Sequence, residues 1–217
     1  MTSLLFITAP EADHKAINRI LLHLRDWYTG DGEDDFFKLV TTKNAYDLDL
    51  SAGGCKEVQD HECIEETHPP IPVNTTNAWA GATFEDVEEY CAELLRAEVK
   101  GVYPGLFVVV DSEGLRKKDC ILVEQQYRWE EEEEEDGCER FWKMRVPWTE
   151  LYITWCQLDV ANVSFEEMTE EVEASNDEEF RRKASWWTWR SLDDDDVGAE
   201  CEERDAAIEE LRKEGRA

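Results

Sequence analysis

The chain has 217 residues, of which 41% are hydrophobic and 11% aromatic, so it can form the core of one ordinary domain and is not disordered throughout. With 53 acidic against 23 basic residues, its formal net charge is −30, which disfavours binding to nucleic-acid phosphates or to anionic membrane surfaces. This charge suits solubility, cations or a basic protein partner.

The first part of the chain predicts a strand followed by a helix. Residues 3–8 (SLLFIT) form an apolar run that is typical of a buried strand. Thr8 stands where a helix N-cap would, Glu11 completes a capping box, and Gly30 ends the predicted helix. The predicted apolar face of this helix consists of Ile17, Ile20, Leu21, Leu24 and Trp27.

Irregular stretches separate this first helix from a second one. Residues 28–35 predict an acidic loop, and residues 36–40 (FFKLV) predict a second strand. Residues 45–82 have little periodicity and include a proline-rich stretch, so we interpret them as a long irregular excursion. Thr83 is predicted to cap the next helix, with Asp86 at the third helical position.

Three apolar segments in the second half predict the remaining strands. Residues 106–110 (LFVVV) have the continuous apolar character of a strand at the centre of a sheet. Residues 121–127 and 141–146 predict two further strands, and an acidic insertion over residues 128–139 joins them. The connection resembles that of a hairpin, so we expect part of the sheet to be antiparallel.

This order of elements predicts an α/β fold, a layered sheet with helices, and leaves a mixed α+β arrangement open. Ser164 and Glu167 form a further capping box near the end of the predicted domain. We therefore expect one domain over residues 1–182 and a Trp-rich, charged extension over residues 183–217.

The stretch from Val146 to Met168, VPWTELYITWCQLDVANVSFEEM, resembles the C-terminal signature of an uncharacterised family, domain of unknown function 6924. In that family a Pro-containing segment leads to an Asn-Leu pair and an Ala-Asn-Met-Asp-Phe-Glu run, and the matching residues here are 157–158 and 161–166. The resemblance covers roughly residues 3–182, and the chain departs from the pattern in having Gln157 where Asn is common and in its long insertions. It implies a single domain but no activity, because none is assigned to the family.

Cysteine usage and the N-terminal segment bear on the compartment. The seven cysteines are odd in number and scattered, so they do not indicate a disulfide framework. The apolar run at the start of the sequence is too short for a signal peptide and has no basic region before it. We expect a cytoplasmic protein, with the nucleus as an alternative.

Four residues in one loop form a candidate zinc site, namely Cys55, His61, Cys63 and His68. Thiolates and imidazoles are the ligands that zinc prefers. The spacing matches no standard zinc finger, however, and no HExxH helix is present. An incidental grouping in a solvated loop is the competing interpretation, and we expect no cofactor.

Asp111 follows the strand at residues 106–110, where a carboxylate could bind a metal or accept a phosphoryl group, because ligands bind at the carboxyl ends of strands in open α/β sheets. The competing interpretation is a tight turn formed by Asp111 and Gly114. Nucleophile and phosphate-binding motifs are absent from the sequence. His14 and His23 are interpreted as surface residues on the polar side of the first helix.

Residues 180–192 form a basic, aromatic segment whose ring and guanidinium groups could contact a partner, through Arg181, Arg182, Trp186, Trp187 and Trp189. A competing interpretation is that a Trp of this segment docks on the domain itself. The tail over residues 199–215 has alternating charges and could form a solvated helix.

Three classes of function follow from these observations. The leading hypothesis is a non-enzymatic interaction or regulatory domain that binds a basic protein surface rather than nucleic acid or a membrane. The alternatives are an enzyme of unrecognised type that uses Asp111 and a zinc-dependent module built on the loop at residues 55–68.

Overall fold

The computed structural model describes residues 2–27, 35–44, 66–97, 102–125, 141–165, 167–168, 186–187 and 201–217. Within these ranges the strands are β1 (Thr2–Ile7), β2 (Phe37–Leu39), β3 (Val102–Val110), β4 (Asp119–Gln125), β5 (Phe141–Pro147) and β6 (Trp186–Trp187). The helices are α1 (His14–Leu24), α2 (Phe84–Arg96), α3 (Ser112–Lys117), α4 (Trp148–Asp159) and α5 (Glu202–Lys213).

The described strands form one mixed sheet in the order β2-β1-β3-β4-β5-β6. β1 pairs in parallel with both β2 and β3. β4 pairs antiparallel with β3 and with β5, and β6 adds in parallel to β5. The predicted α/β class and the partly antiparallel sheet are therefore confirmed.

The sheet is buried on both faces, which explains why β1 and β3 have continuous apolar sequences rather than alternating ones. Leu5 and Ile7 of β1 point to the face that carries α1 and α4. Leu4 and Phe6 point to the opposite face, where α2 packs. The core thus has two halves, one on each side of the sheet.

α1 begins later than the sequence predicts, and the predicted N-cap at Thr8 is wrong. The backbone N–H groups of Thr8 and Ala9 both donate to the carbonyl of Val110, which keeps this segment over the end of β3 instead of in a helix. The helix is capped by Asp13, whose side chain accepts a hydrogen bond from the Ala16 N–H. It ends at Leu24, before the predicted Gly30.

α2 matches its prediction closely. The Thr83 side chain accepts from the Asp86 N–H, and the Asp86 carboxylate accepts from the Thr83 N–H, so the capping box is present. The buried face consists of Val87, Tyr90, Cys91, Ala92 and Leu94.

The irregular segment before α2 is anchored in the α2 half of the core. Among residues 66–83, which contain no helix or strand, Trp79 is fully buried against Phe6 and Tyr90, with ring centroids 5.0 Å away in both cases. Its indole N–H donates to the carbonyl of Thr42 at 3.0 Å. Residues 66–82 of the predicted irregular excursion therefore contain no helix or strand but pack against the sheet.

The described end of the chain packs on the domain. Trp186 and Trp187 pair with Lys143 and Met144 of β5. α5 packs on α1, with Arg204 and Ile208 buried. A helix thus forms where the alternating charges predict one, but it is not solvated on all sides.

Candidate functional site

The structure places Asp111 in the capping position of α3. Its side chain accepts a hydrogen bond from the Gly114 N–H at 2.7 Å, so the predicted turn is the first turn of a short helix. The same carboxylate contacts the guanidinium of Arg145 through both oxygens. Arg145 also reaches Asp119 at 2.8 Å and Glu113 at 3.5 Å. We call these four residues, Asp111, Glu113, Asp119 and Arg145, the Arg145 cluster.

The electrostatics of the Arg145 cluster favour an ionised, bound carboxylate. Partial burial alone would raise the pKa of Asp111, but hydrogen bonds from Arg145 and from the Gly114 N–H hold this pKa below its ordinary value. A carboxylate in this state is a weak base and already has its partners. The geometry therefore favours a structural role for Asp111.

The carboxyl ends of the parallel strands β1 and β3 are bridged by the chain itself. The Asn77 side-chain amide donates to the Ile7 carbonyl at 2.7 Å, and the Gly81 N–H donates to the Thr8 carbonyl at 2.9 Å. Ser112 donates to the carboxylate of Glu11 at 2.9 Å. Strand ends that would hold a ligand in an open α/β sheet are thus engaged in intramolecular hydrogen bonds.

His68 is held by a carboxylate on one side of its ring. Its Nδ1 lies 2.7 Å from Oδ2 of Asp35, whose side chain is only 4% exposed and also binds Arg25 at 2.8 Å. A carboxylate on one ring nitrogen is the arrangement that orients metal-binding histidines through the other nitrogen. The His68 side chain itself is 55% exposed.

The other predicted zinc ligands, Cys55, His61 and Cys63, lie outside the described residues. Within the described ranges no three potential ligands come together in a metal-binding group. The zinc hypothesis therefore rests on the sequence and on the position of His68.

The predicted partner-binding segment is described only at Trp186 and Trp187, whose backbone forms β6. Arg181, Arg182 and Trp189 lie outside the described residues. The backbone pairing with β5 agrees with the interpretation that this segment docks on its own domain.

The described surface carries a continuous acidic feature on α2. Glu85, Glu89 and Glu93 are all exposed and follow one another at intervals of four residues, opposite the buried face of the helix. Each step along this face is about 6 Å. We call these three residues the acidic row. The exposed Asp86 lies beside it at the start of the helix.

The acidic row is partly compensated among the described residues, because Lys43 lies near Asp86 at the start of α2 and the exposed Arg96 follows Glu93 by one turn. Lys143 is engaged by Glu88 at 2.8 Å and lies over the ring of Phe84 at 4.6 Å. The Arg96 side chain donates to the Ala92 carbonyl at 3.2 Å. The exposed carboxylates of the row and of Asp86 outnumber these cations, so this face of α2 has a net negative charge.

Sequence reasoning missed two features that only the fold creates. It treated His23 as a surface residue, whereas the ring is mostly buried and packs 5.4 Å from the ring of Trp148. It gave no role to Arg145, whose partner Asp111 is 34 residues away. No local pattern signals such a contact.

No helix among the described residues is long and apolar enough to cross a bilayer. Comparisons with models of protein families, with curated proteins and with solved structures found no match to this chain. The resemblance drawn from residues 146–168 therefore stays a prediction.

Proposed function

We propose that this chain is a non-enzymatic interaction domain that binds a basic protein surface through α2, in the cytoplasm or the nucleus. The observation that carries the proposal is the acidic row of Glu85, Glu89 and Glu93. A partner with lysine or arginine side chains at matching intervals would meet complementary charge along the helix. The Arg145 cluster supports the same reading, because it occupies the carboxylate that a catalytic hypothesis would need.

The acidic row costs the helix stability, which supports a role beyond folding. Like charges at i,i+4 destabilise a helix by about 0.2–0.5 kcal/mol per pair. Glu93 also lies in the second half of α2, towards the end where the helix dipole favours cations. If solubility alone were needed, acids could lie anywhere on the surface without this local cost.

A pair of neutralised variants separates partner binding from general charge. Glu89→Gln with Glu93→Gln removes two charges from the acidic row. Glu210→Gln with Glu214→Gln removes two charges at the same spacing from exposed positions, one in the last turn of α5 and one at its C-cap. The probe is a lysine-rich helical peptide with a lysine at every fourth position, and its affinity is measured by fluorescence anisotropy.

We expect the α2 variant to bind the peptide about 5- to 30-fold more weakly than the wild type, which corresponds to about 1–2 kcal/mol. The α5 variant should bind almost as well as the wild type. Binding of the wild type should also weaken as salt rises from about 50 to about 300 mM. Equal losses in both variants, or salt-resistant binding, would remove the proposed role of α2.

A thermal melt of the same variants tests whether weaker binding results from damage to the fold. Because the α2 variant loses two like-charge contacts, its free energy of unfolding should stay equal to or rise above that of the wild type by up to about 1 kcal/mol. Weaker binding together with undiminished stability would assign the loss to the surface charge. Weaker binding with a lowered melting temperature would instead indicate damage to the fold, and the proposal would lose its support.

A zinc-binding loop is the second candidate, and the observation that favours it is the contact between Asp35 and His68. Elemental analysis of protein purified without chelators tests it. This candidate predicts about one zinc per chain, lost in His68→Ala and retained in the control His14→Ala. Absence of zinc from the wild-type protein would dismiss this candidate and would leave the α2 proposal unaffected.

A further inference from the structure

α5 covers a second face of α1. Arg204 and Ile208 lie one turn apart on α5 and are 5% and 6% exposed, although most other residues of this helix face solvent. On α1, Leu22 is buried but belongs to neither half of the main core. α1 is therefore covered on one side by the sheet and α4 and on another by α5.

Asn18 of α1 forms a hydrogen bond with the chain just after α5, and we call this contact the Asn18 clamp. Its side-chain amide donates to the carbonyl of Arg216 at 2.7 Å, and its carbonyl oxygen accepts from the Ile71 N–H at 2.8 Å. Asn18 is fully buried; its hydrogen bond with Ile71 is buried, and the one with Arg216 is partly buried. Among the described elements, α5 packs chiefly on α1, so it is a peripheral helix that can open without the sheet.

His23 lies where α1, α4 and α5 meet. Its ring packs on Trp148 at the start of α4, and its Nδ1 is buried without a hydrogen-bond partner among the described residues. The charged groups around it are Arg204 and Asp205 on α5, Lys118 before β4 and Arg19 on α1. Three of these four neighbours are cations.

The junction therefore disfavours a charged imidazole. Burial, together with the nearby Arg204 and Lys118, lowers the pKa of His23 from 6.5 to about 4. Asp205 acts in the opposite direction but is largely exposed and pairs with Arg204 at 3.2 Å. A proton on His23 would have no partner close enough to neutralise it in this arrangement.

We propose that acid releases α5 from the domain: protonation of His23 adds a cation to the junction and detaches α5 from α1. α5 is the element that moves, because Trp148 and Lys118 on the other side of His23 are held in place by hydrogen bonds. Trp148 donates through its indole N–H to the Asp119 carbonyl at 2.7 Å, and its backbone N–H donates to the Lys118 carbonyl at 3.0 Å. Release removes Arg204 from His23 and exposes the face of α1 that carries Asn18 and Leu22.

The direction of the pH effect follows from linkage. His23 has a lower pKa in the docked state than in a solvated one, so docking is fully favoured above the ordinary pKa and weakens as pH falls from about 6.5 towards 4. Only the part of this shift that α5 causes is relieved on release, because Trp148, Lys118 and Arg19 stay beside His23. A relief of one pKa unit corresponds to a change of about 10-fold in the docking equilibrium.

Hydrogen exchange measured by mass spectrometry tests the proposal on the full chain. The protection of the α5 amides is followed between about pH 7 and about pH 4, corrected for the intrinsic exchange rate, with β3 as an internal reference for global unfolding. The variants are His23→Gln, which cannot be protonated there, and His14→Gln, a control on the same helix.

In the wild type and in His14→Gln, we expect α5 protection to fall by about 10-fold or more at the acid end while β3 stays protected. In His23→Gln the pH dependence of α5 protection should shrink to about 3-fold or less. The slope with pH is the readout, so a variant that is looser at neutral pH remains informative. An equal acid response in His23→Gln, or loss of α5 protection only together with β3, would overturn the proposal.

Discussion

Replacing Arg145 with Met tests whether Asp111 is a structural carboxylate. The substitution removes the hydrogen bonds to both oxygens of Asp111 and the contact with Asp119, while the length of the side chain is approximately kept. Asp111, Asp119 and Glu113 then face one another without the cation that joins them. The cap on α3 is retained, because the Gly114 N–H still donates to Asp111.

The expected cost lies between that of a surface ion pair and that of a buried one. The Arg145 side chain is 28% exposed and that of Asp119 is 17% exposed, so solvent screens these pairs only in part. Exposed pairs contribute about 0–1 kcal/mol, and breaking a fully buried pair costs about 3–5 kcal/mol. We therefore expect a loss of about 2 kcal/mol at neutral pH, or a melting temperature about 4–8 °C lower.

The stability difference between the wild type and Arg145→Met should change with pH in a defined direction. In the wild type, the pKa of Asp111 lies below its ordinary value, so its contribution is present above about pH 4 and is lost as pH falls through the lowered pKa. In the variant, the crowded carboxylates gain protons more readily, and acid relieves their repulsion. The stability difference between the two proteins should therefore shrink as pH falls below about 4.

Urea denaturation at several pH values, followed by circular dichroism, measures both quantities. Asp111→Asn is a useful companion, because Asn can still cap α3 but leaves Arg145 without one carboxylate. A variant Arg145→Met as stable as the wild type at neutral pH would contradict the structural role of the cluster. A stability difference that widens on acidification would contradict the electrostatic argument.

Three further substitutions have outcomes that follow from single contacts, and each is measured by urea denaturation. Asn18→Ala removes the partner of the buried Ile71 N–H and of the partly buried Arg216 carbonyl, so we expect a loss of about 1–3 kcal/mol; an unchanged midpoint would count against the Asn18 clamp. Gly114→Ala places a Cβ 2.5 Å from the carbonyl oxygen of Asp119, which should cost about 1–3 kcal/mol, and a neutral effect would mean that α3 shifts freely. Glu88→Gln removes the carboxylate that lies 2.8 Å from the mostly buried Lys143 and should cost about 1–3 kcal/mol, whereas a gain in stability would show that the pair is unfavourable.

Much of the sheet could be predicted from the sequence because its central strands β1 and β3 are apolar runs that are buried on both faces. The segments 106–110 and 141–146 lie inside β3 and β5, and the strand at residues 3–8 differs from β1 by one residue at each end. α2 was predictable for a similar reason, since Thr83 and Asp86 complete each other's hydrogen bonds within one turn. Such local signals do not depend on the rest of the fold.

The capping box at Thr8 misled the prediction because a local pattern was overridden by a sheet contact. Thr8 and Ala9 give their N–H groups to Val110, which lies about a hundred residues further along the chain. Asp13 then serves as the cap that the pattern had assigned earlier. α4 escaped prediction for another reason: it is buried on several sides, so its sequence lacks the strong alternation of an amphipathic helix.

The candidate sites depended most on contacts that the sequence cannot reveal. The sequence identified Asp111 as a carboxylate at the end of a strand. Its ion pair with Arg145 forms because β5 lies beside β4, and the sequence does not reveal that pairing. His68 was found as a zinc candidate, and its contact with Asp35 became visible only in the fold. The acidic row was hidden among many other acids until burial separated the exposed face of α2 from its apolar face.

Mapping the bound lysine-rich peptide by amide chemical shifts in isotope-labelled protein tests the proposed function most directly. The account predicts that the largest shifts fall on the residues of α2 around Glu85, Glu89 and Glu93 and disappear as salt is raised. Shifts of similar size on α5 and elsewhere on the acidic surface, or a footprint that avoids α2, would contradict it.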